Sequence, residues 1–193
     1  LMAEFTSHFR ENPIASERRG ARLPRIAYIP TAFVGAAPDG GTPPKDFTPR
    51  AKALLQQFKV AGMDVELEAV DVGALEGRTL LDALGGAEAV YVDGGNTFWL
   101  LQAMRRSGFE DAIRAGLASE SGMLYVGQSA GSIVAGVTAR TAMWKGWDDP
   151  SVAPDLDTDP ALAPDDPAGL RGLNLVPFSV FPHYAHKWEQ VYR

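Results

Sequence analysis

The stretch Gly122–Gly136, reading GMLYVGQSAGSIVAG, narrows the possible folds more than any other part of the chain. Leu124-Tyr125-Val126 is a short apolar run of buried-strand character. Ser132-Ile133-Val134-Ala135 is small and apolar enough for a helix packed hard against a sheet. Between them, Gly127-Gln128-Ser129-Ala130-Gly131 sets a serine with a glycine two residues to either side, the nucleophile-elbow pattern of a sharp strand-to-helix turn. Side chains at the two glycines would collide with the neighbouring strand and helix, and the serine backbone is strained. In return the Ser129 hydroxyl stands at the sheet edge beside a helix N-terminus, whose free N–H groups favour an oxyanion. The competing reading of the same five residues is a small-residue turn with no chemistry.

Upstream, periodicity predicts alternating strands and helices. Strands are expected at Arg25–Pro30, Met63–Val70 and Ala87–Val92, with an edge strand at Ala3–Phe9. Helices are expected at Phe47–Ala61, Leu75–Leu84, Thr97–Ser107 and Phe109–Leu117, the third with Phe98, Leu100, Leu101 and Met104 on its inner face. This alternation implies an α/β fold, a mostly parallel sheet with helices on both faces. After Gly136 the pattern changes. Trp144–Asp166 is rich in Asp, Pro and Ala and reads as a long surface loop. Asp155, Asp157, Asp159 and Asp166 fall there at calcium-loop spacing, but Pro160 stands where such a loop needs glycine, so a solvated acidic loop is the better reading. Leu173–Val176 and Ser179–Phe181 read as strand, ending at Pro182-His183-Tyr184.

Composition removes several function classes. The chain has 193 residues, the usual length of one domain, and no cysteine, which excludes disulfides, thiolate metal sites and a cysteine nucleophile. A net charge of −6 without a basic run argues against nucleic acid as a partner. No apolar stretch is long enough to cross a membrane and the N-terminus lacks a signal-peptide layout, so a cytoplasmic location is expected. Only His8, His183 and His186 are available as a histidine base, and His186 reads as a surface residue.

In open α/β sheets ligands gather beyond the carboxyl ends of the strands. Three such ends carry chemistry here: Gly94-Gly95-Asn96, Gly127-Gln128-Ser129 and Pro182-His183. A Gly-Gly turn leaves backbone N–H groups uncovered, and a histidine just past a strand can take a serine proton. Each alone has a plain explanation, a βα turn or a packed histidine; together they form a constellation.

The motifs Asp93-Gly94-Gly95-Asn96-Thr97-Phe98, Tyr125-Val126-Gly127-Gln128-Ser129-Ala130-Gly131-Ser132, Leu175-Val176-Pro177-Phe178 and Phe181-Pro182-His183-Tyr184 resemble the dipeptidase E family of serine peptidases. That family includes aspartyl dipeptidases and the related cyanophycinases. The resemblance runs from Arg25 to Tyr184 and implies a class I glutamine amidotransferase-like fold, a three-layer sandwich. It implies Ser129 as nucleophile, His183 as general base, and the Gly95 and Ala130 N–H groups as oxyanion hole. It implies a short peptide as substrate, with N-terminal aspartate preferred, and no metal or cofactor. Asn96, Gln128 and Trp147 are candidate substrate contacts, Trp144 and Trp147 being either cleft walls or loop anchors.

Members of that family usually continue past the histidine, and the triad acid and the basic residues that recognise aspartate come from that continuation. The expectation is thus one catalytic domain over residues 1–193, apparently lacking the family's C-terminal segment. Asp148 or Asp149, or Glu189 or Tyr192, could serve as third member; otherwise a complementing C-terminal chain or a homo-oligomer completes the site. Phe178, Phe181, Trp188 and Tyr192 are apolar mass available for such a partner, the two phenylalanines reading more simply as core. A catalytically impaired relative that binds peptides or a partner, and a cyanophycinase or esterase on the same machinery, are the alternatives.

Overall fold

Four short apolar runs pair side by side into a parallel sheet. The strands β1 (Arg25–Ile29), β2 (Glu66–Ala69), β3 (Ala89–Val92) and β4 (Leu124–Gly127) lie in the order β2-β1-β3-β4. The structure is a computed structural model that describes residues 7, 9, 22–35, 46–75, 78–120, 122–159, 161–183, 185, 189 and 190.

Alternation along the strands divides the core in two, because successive side chains leave opposite faces of a sheet. Ala27, Ile29, Val90 and Val92 join one apolar cluster, whereas Ile26, Tyr28, Ala89, Tyr91 and Val126 join the other. The first cluster is covered by the helices α3 (Arg78–Leu84), α4 (Thr97–Ser107), α5 (Phe109–Ala118) and α6 (Ala130–Ala135). The second is covered by Leu54 and Phe58 of α2 (Thr48–Val60), together with Phe9. The result is a three-layer sandwich with β1 and β3 at its centre.

The helix α4 shows why the sequence was readable here. Phe98, Leu100, Leu101 and Met104 are at most 1% exposed, each contributing about 1.5–3 kcal/mol by burial. Asn96 caps the helix, its Oδ1 accepting the Trp99 N–H at 2.9 Å, a contact typically worth about 1 kcal/mol.

A short helix, α1 (Thr31–Val34), follows β1 directly. Several expectations are corrected. The Ala3–Phe9 edge strand falls mostly outside the described residues, and Ser7 and Phe9 have helical backbone. Leu173–Val176 and Ser179–Phe181 are not strands. The N–H groups of Leu173, Leu175 and Val176 go instead to Val134 and Ala135 carbonyls, at 2.7, 2.9 and 3.3 Å. The last carbonyls of a helix have no partner within it, so this strap closes the C-terminal end of α6 rather than extending the sheet. The segment after α6 is not merely surface either. It forms two 3₁₀ turns (Arg140–Lys145 and Pro150–Val152) and buries Ala153 and Leu156 in the larger cluster. Its carboxylates at Asp157, Asp159 and Asp166 accept N–H groups two residues on, at 2.8–2.9 Å, the ordinary use of an acid in a turn. Phe178, expected as core, is 57% exposed. Among the described residues no helix is long and apolar enough to cross a membrane.

Candidate active site

The register aligns Ile29 with Val92 and Val92 with Gly127, so Pro30, Asp93 and Gln128 leave three strands at one rim. The chain passes from β1 to β2 on one side and returns to β3 on the other, so the topological switch lies between β1 and β3.

At the end of β4 the turn is as tight as its sequence requires. Ser129 has φ 50° and ψ −108°, a left-handed conformation rare outside glycine. A Cβ on Gly127 would lie 2.5 Å from the Gly131 backbone, and one on Gly131 would lie 2.3 Å from the Val92 carbonyl oxygen. Two hydroxyls fasten the bend: Ser132 Oγ donates to Gly127 O at 2.6 Å and Tyr125 Oη to Gly131 O at 2.7 Å. Burial pushes the Tyr125 phenol up, so it remains a donor.

The Gly94-Gly95 turn after β3 approaches this serine directly. A Cβ on Gly94 would come within 2.9 Å of Ser129 Cβ, and Gly95, at φ 154°, leaves no room beside the Ala32 carbonyl. Among the described residues neither the Gly95 nor the Ala130 N–H donates a hydrogen bond.

Asp93 anchors that turn from beneath, 2% exposed. Its Oδ1 accepts Gly94 N–H at 2.7 Å and Arg50 Nη2 at 2.8 Å; its Oδ2 accepts Arg50 Nε at 2.7 Å and Tyr28 Oη at 2.5 Å. Burial raises the Tyr28 phenol well above its ordinary range, and the Asp93 bond adds to the rise. The bond to Asp93 likewise holds Arg50 in its charged form, and its guanidinium lies 4.5 Å over the Phe33 ring. Sequence reasoning missed this network: an aspartate before Gly-Gly reads as a turn residue, and Arg50 is 43 positions away on another layer.

His183 arrives from the C-terminal strap, with Ser129 Oγ 2.8 Å from its Nε2. It also has a positive φ, 64°. The Trp147 ring meets it at a tilt, 5.7 Å between centroids, whereas Trp144 packs on Phe181 at 5.0 Å.

The other candidates are placed variously. Asp148 Oδ2 accepts the Thr97 N–H at 2.9 Å, at the start of α4. Asp149 accepts Asn96 Nδ2 on its backbone carbonyl at 2.9 Å and Ser151 N–H on its side chain, which holds its carboxyl below the usual range. Asn96 therefore commits both ends of its amide to structure. Gln128 is exposed, its Oε1 taking the Tyr91 hydroxyl at 2.8 Å. Glu189 is exposed, and Tyr192 and His186 lie outside the described residues. A cavity of about 30 Å³ is lined by Thr97, Ser129, Trp147, Asp148, Phe181 and His183 among others.

Comparison with known proteins finds relatives that are peptidases. The chain is 34% identical over 160 residues to peptidase E of Streptomyces coelicolor, and 30% identical over 167 residues to peptidase E of Nostoc sp.. Those matches cover 83% and 86% of this chain but 51% and 55% of the relatives, so the chain spans about half the length of the curated relatives it matches. A crystal structure from Listeria monocytogenes EGD-e, solved as a peptidase E protein, superposes with a TM-score of 0.63 at 24% identity, covering 95% of this chain and 82% of that one. The fold is thus class I glutamine amidotransferase-like, as the resemblance implied. The match to peptidase family S51 extends over residues 6–192, and the chain belongs to that family.

Proposed function

We propose that this chain carries the nucleophile, base and oxyanion hole of a serine peptidase acting on short peptides. Ser129 Oγ attacks the scissile carbonyl carbon while His183 Nε2 takes the hydroxyl proton. The Gly95 and Ala130 N–H groups receive the oxyanion, donors whose individual loss typically costs about 2.7–4 kcal/mol of transition-state stabilisation. The C–N bond breaks as His183 returns the proton to the departing amine, and water hydrolyses the acyl-enzyme. The observation that carries this reading is the 2.8 Å Ser129–His183 contact, made by a serine held at φ 50°.

A preference for N-terminal aspartate follows the family resemblance, with Trp147 and Gln128 as candidate contacts. The acid that orients His183 is assigned to further chain or to a partner copy, with Asp148 as the internal candidate because it lines the same cavity. The exposed rings of Trp144, Trp147 and Phe178 suit such a partner. The absence of cysteine suits a cytoplasmic setting.

Two measurements test the reading. A fluorophosphonate probe should label the protein at Ser129, and Ser129→Ala should abolish both labelling and peptide turnover while leaving the circular dichroism spectrum unchanged. Turnover retained by pure Ser129→Ala protein would overturn the assignment, and a silent, peptide-binding relative would leave Ser129 unlabelled.

A further inference from the structure

The Gly94-Gly95 turn lies directly against Ser129: a Cβ on Gly94 would come within 2.9 Å of Ser129 Cβ and 3.6 Å of its Oγ. From Asp93 to Thr97, every backbone N–H but one has an acceptor among the described residues. Asp93 donates to the Ile29 carbonyl at 3.0 Å, Gly94 to Asp93 Oδ1 at 2.7 Å, Asn96 to the Ala32 carbonyl at 2.8 Å and Thr97 to Asp148 Oδ2 at 2.9 Å. The exception is Gly95, an exposed residue between two tethered neighbours.

The tether on the Gly94 side is a buried carboxylate. Asp93 is 2% exposed, and a carboxylate so placed is costly unless it is paired. Arg50 pairs it at two points, Nε with Oδ2 at 2.7 Å and Nη2 with Oδ1 at 2.8 Å. Such a fork fixes the plane of the carboxylate as well as its position. Oδ1, shared between Arg50 and the Gly94 N–H, therefore sits where the guanidinium sets it. The guanidinium lies 4.5 Å over the ring of Phe33, on the same short helix α1 whose Ala32 carbonyl holds Asn96. Both neighbours of Gly95 are thus referenced to α1, one directly and the other through Arg50 of α2.

We propose that Arg50 is a positioning residue for catalysis: through Asp93 it holds the Gly94-Gly95 turn so that the Gly95 N–H meets the oxyanion beside Ser129. The inference rests on the oxyanion reading above and adds to it a residue from another layer of the fold. Arg50 acts through Asp93 and Gly94 rather than on the substrate. Its contribution is geometric, and a misplacement of about 1 Å can cost about 10²-fold in rate.

The test compares p-nitrophenyl acetate with its thiono analogue, in which sulfur, a weaker hydrogen-bond acceptor, replaces the carbonyl oxygen. Ser129→Ala protein is the blank. A formed oxyanion hole makes the oxygen ester much the faster substrate, and the ratio of the two rates does not depend on how much enzyme is folded. In Arg50→Leu the oxygen ester should slow by about 10²-fold and the thiono ester far less, so the ratio falls by roughly tenfold or more. Arg50→Lys keeps a cation beside Asp93 and so spares the fold; it should still lower the ratio, because an ammonium cannot reproduce the two-point grip. Rates unchanged in both variants, or both esters slowed equally, overturn the positioning role. A parent protein that does not label with a fluorophosphonate at Ser129, or that hydrolyses both esters alike, removes the catalytic reading itself, and this inference with it.

Discussion

The left-handed backbone at Ser129 has a thermodynamic signature independent of any assay of activity. A non-glycine residue held in a sparsely populated region costs about 1–3 kcal/mol. Replacement by alanine removes the hydroxyl and its contact to His183 but keeps the Cβ, and hence the strain. Replacement by glycine removes both. Elsewhere, glycine in place of alanine costs about 0.4–1 kcal/mol through the unfolded chain. Setting that against the strain released at φ 50°, ψ −108°, Ser129→Gly should be more stable than Ser129→Ala by about 1 kcal/mol, within a span of roughly 0–2.5. Because neither variant has the hydroxyl, their difference isolates the backbone. Nor does the crowding at Gly94, 2.9 Å between its virtual Cβ and Ser129 Cβ, oppose the smaller residue. For a chain of this length 1 kcal/mol moves the melting temperature by about 2–4 °C, within reach of calorimetry where unfolding is reversible. Urea titration should give the same order with unchanged slope. Ser129→Gly no more stable than Ser129→Ala would refute the claim that the fold holds this serine under strain.

Two further perturbations probe the supports. Among the described residues, Arg50→Leu leaves the buried Asp93 carboxylate with only Tyr28 and Gly94 as donors; with Arg50 itself 37% exposed, a loss of about 2–4 kcal/mol is expected. A double-mutant cycle with Asp93→Asn should then show coupling above about 1 kcal/mol, and additive losses would contradict it. At Glu110, burial works to raise the carboxyl, but hydrogen bonds from Arg171 and Arg114 outweigh it and leave the pKa below its ordinary value. The unfolded chain therefore binds this proton more readily, so the contribution is complete above the unfolded value of about 4.3 and is lost as pH falls through the lower folded value. Glu110→Gln should flatten the fall of the urea midpoint between about pH 5 and 3, and an unchanged fall would sink this assignment.

What the sequence yields, and what it withholds, follows from the range of the interactions involved. The strands β1, β3 and β4 and the helix α4 are legible because their signals are local: short continuous apolar runs, a 3.6-residue apolar face, an asparagine cap. The Gly127–Gly131 pair is legible for the same reason, since its steric demands fall within one turn. The strap at 173–176 is not. Its apolar run imitates a strand, and only the free carbonyls at the end of α6 divert its N–H groups. The Asp93–Arg50–Tyr28 network is also hidden, because it joins three elements from two layers and has no periodicity to announce it.

One short helix accounts for the meeting of Ser129 with His183. Ser129 occupies the N-cap of α6, so its position is fixed by the elbow and by Gly131 packed on the Val92 carbonyl. The strap that bears His183 begins on the other end of that helix, where Leu173 and Asn174 donate to Val134 and Gly136 at 2.7 and 3.0 Å. It is held again farther along, by Val137 N–H to the Phe178 carbonyl at 3.2 Å and by Thr141 Oγ1 to the Val180 carbonyl at 2.7 Å. Both side chains are therefore referenced to α6 and the turn that follows it, rather than to each other across the sheet. Distant changes in β2 or α2 then reach the Ser129–His183 distance only through the core, whereas a change at the C-terminal end of α6 reaches it through a few hydrogen bonds. In this fold the helix whose N-cap is Ser129 also sets the position of His183.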